Sequence, residues 1–387
     1  MVWNNENDVS QLRYCFQNSQ DLPALERLAH RLQSTPYHTW PLQVAWSSKL
    51  PGAPADDDFP VRRCRLLLYE GEEIRAFQNF FEHELYVRGM PHKFVWPNGP
   101  LSEAVVDPKF GMCWPMLLQH SLKLQPLHLA VGGTPQTQGV WKGFGWTRCV
   151  PIPRFYLPLQ PSRLLREMDV FRRTRSRRLV ADALSVSRVG SVLARLSEGL
   201  RRPRPDADIT WEEIPEFGSA IDEIWHAASH KYSAVTRRDA ATLNRLYKPG
   251  DTRFRRILVR RSGRAIGWFL YSLALKPSAE MNLGYGNART AALIDAFADP
   301  IEASHVLKAA RKQFEDARVE LAFGNWSHHA WQDACLKAGF WKRNTNNWLV
   351  VSKAGQAFFQ SEQDVRESHF SDGDCDGPYY LVSERAT

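Results

Sequence analysis

The chain has 387 residues, 43% of them hydrophobic, and 50 Lys and Arg against 42 Asp and Glu, a formal net charge of +8. This composition excludes a disordered or collagen-like chain, and the length suits two domains that each bury a core. No run of 18 apolar residues occurs, and MVWNNENDVSQLRYCF at the start has acids and amides where a signal peptide needs a basic and then an apolar run, so a soluble, cytoplasmic protein is expected.

In chain order, a helix is predicted around LPALERLAHRL, followed by a loop rich in Pro and Asp over 51–60. The hairpin CRLLLYE–GEE–IRAFQNFFEHELYV turns at Gly71. An extended segment, KFVWPNGPLSEAVVDP, leads to a helical run MCWPMLLQHSLKL, a short strand PLHLAVGG, a helix through GVWKGFGW and a last strand TRCVPIPRFYLPL. Residues 163–199 read as helix, with Leu165, Met168, Phe171, Leu179 and Leu184 at helical spacing between arginines. RRPRPDADITWEEI (201–214) is a charged, proline-bearing connection. Beyond it come helices in PEFGSAIDEIWHAASHKY and AATLNRLY, then the hairpin FRRILVRR–SGR–AIGWFLYSLAL with Gly263 in its turn. The extended segment RTAALIDAFADP, a long helix EASHVLKAARKQFEDA, a strand VELAFGN, a helix HHAWQDACLKAGF and a strand NNWLVVS complete the pattern.

The same order of opening helices, hairpin, strand, helix, strand, helix, strand is thus written twice, which predicts an internal duplication. The expected division is a first domain over 1–162, an Arg-rich helical connector over 163–207, and a second domain with an acidic tail over 208–387. Twelve arginines and four acids lie between Arg163 and Arg204, an excess equal to the net charge of the whole chain. The body outside this stripe is therefore electrically balanced. Six widely spaced cysteines form no CxxC pair, so reduced, packed thiols are expected. The rings of adjacent His328 and His329 on a helix diverge by about 100°, which disfavours a shared metal, and no metal is expected. The tail SDGDCDG, with Asp372, Asp374 and Asp376, lacks a bidentate Glu in the twelfth position of a calcium loop and is read as a flexible acidic turn.

The element order resembles the GCN5-related N-acetyltransferase (GNAT) fold in tandem, as in FemAB-like acyltransferases. The implied fold class is α/β (α+β), each domain a mixed, mostly antiparallel sheet flanked by helices. In that family a strand runs into a Q/R-x-x-G-x-G/A turn whose amides hold the pyrophosphate of acetyl-CoA or another acyl-CoA. In AVVDPKFGMCWPMLL, Val105, Val106 and Pro108 match the approach, Lys109 the basic position and Gly111 one glycine, and the resemblance extends the cradle over Phe110 and Met112. LIDAFADPIEASHVL has no glycine and places Asp299 and Glu302 there instead, so the first half is the better donor site. FGNWSHHAWQDACLKAGF matches N-x-x-A…L-Y-x-K-x-G-F at Asn325, Ala330, Lys337, Gly339 and Phe340, but the family's acidic Tyr falls on Cys335, and on Trp141 in the first half.

Glu103 and its counterpart Asp295 are the candidate bases for an acceptor amine. The implied activity is transfer of an acyl group from a thioester to an amine, with a cell-envelope or polysaccharide precursor as acceptor. Two other readings stand beside it: a non-catalytic binding or scaffold module, and an aminoacyl transferase that takes tRNA as donor and contacts it through the arginine stripe, where salt would weaken binding.

Overall fold

The structure is a computed structural model that describes residues 12–38, 61–161, 163–164, 174–176, 178–179, 207–274, 288–345 and 347–374. The first half contains β1 (Leu12–Phe16), α1 (Leu22–Arg31), β2 (Arg62–Glu70), β3 (Glu73–Val87), β4 (Met90–Ser102), α2 (Cys113–Leu124), β5 (Leu129–Val131), α3 (Pro135–Gly143), β6 (Thr147–Pro151) and β7 (Arg154–Pro158). The second contains β8 (Ile209–Glu213), α4 (Ser219–Ala228), β9 (Ala234–Thr236), α5 (Ala240–Leu246), β10 (Phe254–Arg261), β11 (Arg264–Ala274), β12 (Thr290–Ala298), α6 (Ala303–Asp316), β13 (Leu321–Asn325), α7 (His329–Lys337), β14 (Trp341–Arg343), β15 (Trp348–Val351) and α8 (Glu362–Arg366).

Hairpin, strand, helix, strand, helix recurs as the sequence predicts, β2 to α3 in one half and β10 to α7 in the other; the last strand expected in the second half, NNWLVVS, is β15, and β14 comes before it. TRCVPIPRFYLPL differs, forming two strands with the break at Ile152–Pro153, where proline offers no N–H to a ladder. The short strands β1, β9 and β14 carry no period long enough to predict. The Arg-rich connector and the contact proposed for tRNA lie almost wholly outside the described residues. No helix among the described residues is long and apolar enough to cross a membrane.

The compact units differ from a contiguous split near residue 162. Unit 1 comprises 1–84, 93–148 and 350–357; unit 2 comprises 85–92, 149–349 and 358–387. Strand pairing causes the difference. β7 joins the second-half sheet, ordered β14-β7-β13-β12-β11-β10-β8, while β15 lies between β5 and β6.

In unit 1, β2 is apolar on both faces, and strand alternation sends its neighbours opposite ways. Leu67 and Tyr69 pack with Leu25, Leu28 and Phe77 under α1, whereas Leu66 and Leu68 pack with Ala76 and Leu117 of α2. The amphipathic register of LPALERLAHR thus places one helix, and MCWPMLLQHSLKL the other. In unit 2 every residue of β12 is buried, as an interior strand of a sheet covered by helices must be. β12 is antiparallel to β11 and parallel to β13, and the parallel pairing covers only Thr290–Ala292 against Leu321–Phe323. The register slips between Leu270 and Tyr271, a bulge on β12 just before Asp295. Beyond it the two parallel strands part.

Candidate functional site

Unit 1 repeats this opening. β4 touches the residue before β5 through one parallel bridge, Val95 with His128, with the Val95 amide donating to the Leu127 carbonyl at 2.9 Å. β4 then runs on to Ser102, and two 3₁₀ turns, Glu103–Val105 and Pro108–Phe110, lead into α2. Ser102 Oγ accepts from the Ala104 amide and donates to the Phe110 carbonyl at 3.0 Å, which folds the turn back on itself. Glu103 therefore sits one residue beyond the strand, where strand alternation no longer sets its direction.

Glu103 is buried, and both its carboxylate oxygens are engaged. Oε1 accepts from Arg31 Nε at 2.9 Å and Oε2 from Arg75 Nη1 at 2.8 Å. The Arg75 guanidinium lies 4.3 Å from the centroid of Phe110, with Lys109 Nζ 4.7 Å from the same ring. Glu103 thus holds a cation against the aromatic residue of the turn. Glu103→Gln should lower the stability of unit 1 by about 1–2 kcal/mol, since Arg31 keeps Glu73 and Arg75 keeps Glu70 as counter-charges; urea unfolding checks this.

The predicted phosphate amides need correction. Those of Lys109, Phe110 and Gly111 already donate to Asp107 Oδ1 and to the carbonyls of Asp107 and Pro108. The first amides of α2 lie two residues beyond Gly111. α2 begins without a side-chain cap, so the amides of Cys113 and Trp114 keep the unpaired state of any helix start. Val105, Val106 and Met112 are three of nine large apolar side chains exposed among the described residues, which gives this turn an apolar rim. Burial first, and then Glu70, raises the Cys113 thiol to about 11, so the thiol nearest the turn is no ready nucleophile.

A buried polar chain runs behind the turn. Trp114 Nε1 donates to Gln78 Oε1 at 3.0 Å, Gln78 Nε2 donates to Ser121 Oγ, and Ser121 Oγ lies 3.3 Å from His128 Nε2. Burial pushes His128 down to about 3. Trp141, in the place of the family's Tyr, is buried and stacked on Trp146 at 5.5 Å. Its counterpart Cys335 is fully buried with its thiol raised by desolvation, so neither residue can act as an exposed acid.

In unit 2 the corresponding opening holds a different arrangement. Asp295 is fully buried and accepts from Arg238 Nε at 3.0 Å and from Ser371 Oγ at 2.7 Å. Burial raises its carboxyl despite Arg238. Arg238 Nη2 donates to Asp374 at 2.8 Å, and Nη1 to the Thr236 carbonyl at 3.1 Å. Asn325 Nδ2 donates to Asp372 at 2.5 Å. The described part of the tail read as a flexible acidic turn is core, with Asp372 and Asp374 at most 4% exposed, while Asp376 lies outside the described residues. Asp299 and Glu302 are paired with Lys231 and with Arg261 and His305. The structure brings Asp295 and Asn325 together through this tail and gathers Glu103 and Lys109–Met112 on one turn of unit 1. Sequence reading missed Arg238, whose Arg-Arg-Asp context looks like solvated surface.

Buried neutral histidines set a pH dependence. His328 is pushed down to about 3 by burial and then by His329, and His369 also lies well below 6.5, chiefly through burial. Unfolded histidines take up a proton as pH falls through about 6.5 while these do not. Each therefore weakens folding by about 1.4 kcal/mol per pH unit from there toward its folded value. Asp295 has the opposite sign, but only between its raised value and 3.8. His128 of unit 1, also held near 3 by burial, acts in the same direction, so His128→Gln should flatten the loss of stability between pH 6.5 and 5, as urea unfolding at the two pH values measures.

The sequence matches no protein-family model and no curated protein. Solved structures do match. A conserved protein of unknown function from Enterococcus faecalis, described as a probable N-acyltransferase, superposes with a TM-score of 0.51 at 9% identity, covering 90% of this chain and 74% of that one. A GCN5-related N-acetyltransferase from Anabaena variabilis gives 0.52 at 10% identity, covering 88% and 72%. The chain has the GNAT fold. In GNAT terms, β4 with β5, and β12 with β13, are the splayed pairs, and the turn at 103–112 is the strand-to-helix junction. At this identity the likeness concerns fold alone.

Proposed function

We propose that the protein is a GNAT-type N-acyltransferase that binds an acyl-CoA in unit 1 and transfers its acyl group to an amine. The observation that carries this is the junction of unit 1: strands bridged once in parallel, at Val95, that part beyond it and lead to an uncapped helix start with an apolar rim. The amides of Cys113 and Trp114 and the ammonium of Lys109 would take the pyrophosphate, and Val105, Val106 and Met112 would flank the apolar part of the donor. The raised Cys113 thiol favours direct attack over an acyl-enzyme. The amine nitrogen adds to the thioester carbonyl, the C–S bond breaks, the amine proton passes to a base and the thiolate leaves. Since both oxygens of Glu103 are paired, Glu103 is a positioning residue here, and a water-relayed base takes the amine proton. The envelope or polysaccharide acceptor belongs to this reading through family resemblance alone. Calorimetry with acetyl-CoA, longer acyl-CoAs and desulfo-CoA tests it. Micromolar binding is expected, and silence with every donor would leave the non-catalytic module.

A further inference from the structure

The gap between β12 and β13 in unit 2 is crossed by the chain's own residues Ser368–Asp374. On one side the segment meets β12: His369 Nε2 donates to the Ala296 carbonyl at 2.8 Å, and Ser371 Oγ donates to Asp295. On the other side it meets the end of β13. The Ser327 amide donates to the Phe370 carbonyl at 3.0 Å, the Phe370 amide donates to Ser327 Oγ at 2.8 Å, and Ser371 pairs antiparallel with Trp326. His369 also pairs with Val235 of β9, its amide donating to the Ala234 carbonyl at 2.8 Å. Gly373 lies against Asp295 so closely that a Cβ there would sit 2.7 Å from Asp295 Cβ. Arg238 and Thr236 clamp the carboxylate of Asp374 at the end of the segment. Residues 368 to 374 are all buried, so the segment is packed as core.

We propose that Ser368–Asp374 is a built-in occupant of the unit 2 cleft, standing where a GNAT fold would seat an acyl donor, so that the chain has one donor site and not two. A donor entering this cleft would have to displace the side-chain hydrogen bonds from His369 and Ser371 to β12 and the main-chain bonds at the end of β13 and at β9, and strip Arg238 of a buried counter-charge. The inference rests on the acyl-CoA reading for what is excluded, but not for the presence of the occupant.

Hydrogen exchange of the full chain, with and without acetyl-CoA, separates the two. The amides of Ser327, His369 and Phe370 should be protected as strongly as the interior of β12, and acetyl-CoA should leave them unchanged. Asp374→Lys, which sets an ammonium against Arg238, should speed exchange over 368–374 by about 100-fold or more; concurrent loss of protection in β10 and β11 would likewise mark the segment as part of the core. Fast exchange of 368–374 in the wild-type chain, no change in the variant, or two donors bound per chain would overturn the proposal. Absence of any donor binding would sink the acyl-CoA reading while these exchange rates still test the occupant.

Discussion

Replacing Arg238 by Met should destabilise unit 2 by about 3–5 kcal/mol, the range for removing one partner of a buried ion pair. The guanidinium is 1% exposed and stands between Asp295 and Asp374, each within 3.0 Å. Without it, two carboxylates in one desolvated site must take up protons or admit water. Arg238→Lys should recover less than half of the loss, because a single ammonium cannot reach Asp295, Asp374 and the Thr236 carbonyl together. Asp295→Asn should cost about 1–3 kcal/mol, less than Arg238→Met, since one of two like charges disappears but the amide NH2 must face a donor, Arg238 or the Ala296 amide, where a carboxylate oxygen accepted. Urea unfolding of the three variants checks the order. The same Asp295→Asn chain should keep its rate of acyl transfer, because a carboxylate held by Arg238 and Ser371 has no route to an acceptor amine. A rate lost without stability would return Asp295 to the role of base.

The sequence made the duplicated scaffold legible because hairpins and amphipathic helices are local. CRLLLYE and FRRILVRR announce strands through their own residues, and Gly71 and Gly263 mark the turns, both at positive φ. The fate of the last strand in each half was not legible. β7 and β15 have ordinary strand patterns, and nothing in RFYLP or WLVV states which sheet accepts them. The tail was misread for the same reason. Ser-Asp-Gly-Asp reads locally as a polar turn, and its counter-charge, Arg238, lies 136 residues earlier. Similarly, Glu103 suggests a base until Arg31 and Arg75 arrive from α1 and β3. Motif spacing does not show that Pro108 and Asp107 tighten the stretch after β4 into a 3₁₀ turn that uses its own amides.

Gly111→Asp should abolish detectable binding of acetyl-CoA to unit 1. Gly111 has helical φ and ψ, so an L side chain suits its backbone, and a Cβ would lie 3.1 Å from the Pro108 carbonyl, a contact that a small shift relieves. The fold should therefore persist. The added carboxylate would stand just before the helix start, where it satisfies the positive end of α2 in place of a phosphate. Lys109→Ala should weaken binding by about 1–2 kcal/mol, the size of one charge-assisted hydrogen bond. Part of that is offset in advance, because Lys109 already pairs with Asp107 at 2.9 Å and must leave it to reach a donor. Asp107→Asn should then strengthen binding slightly, a sign that a purely structural turn would not produce. Asp299→Ala in unit 2 should leave donor affinity unchanged even though it frees Lys231. If Gly111→Asp binds acetyl-CoA as the wild type does, the junction of unit 1 is not the donor site, whatever the fold around it.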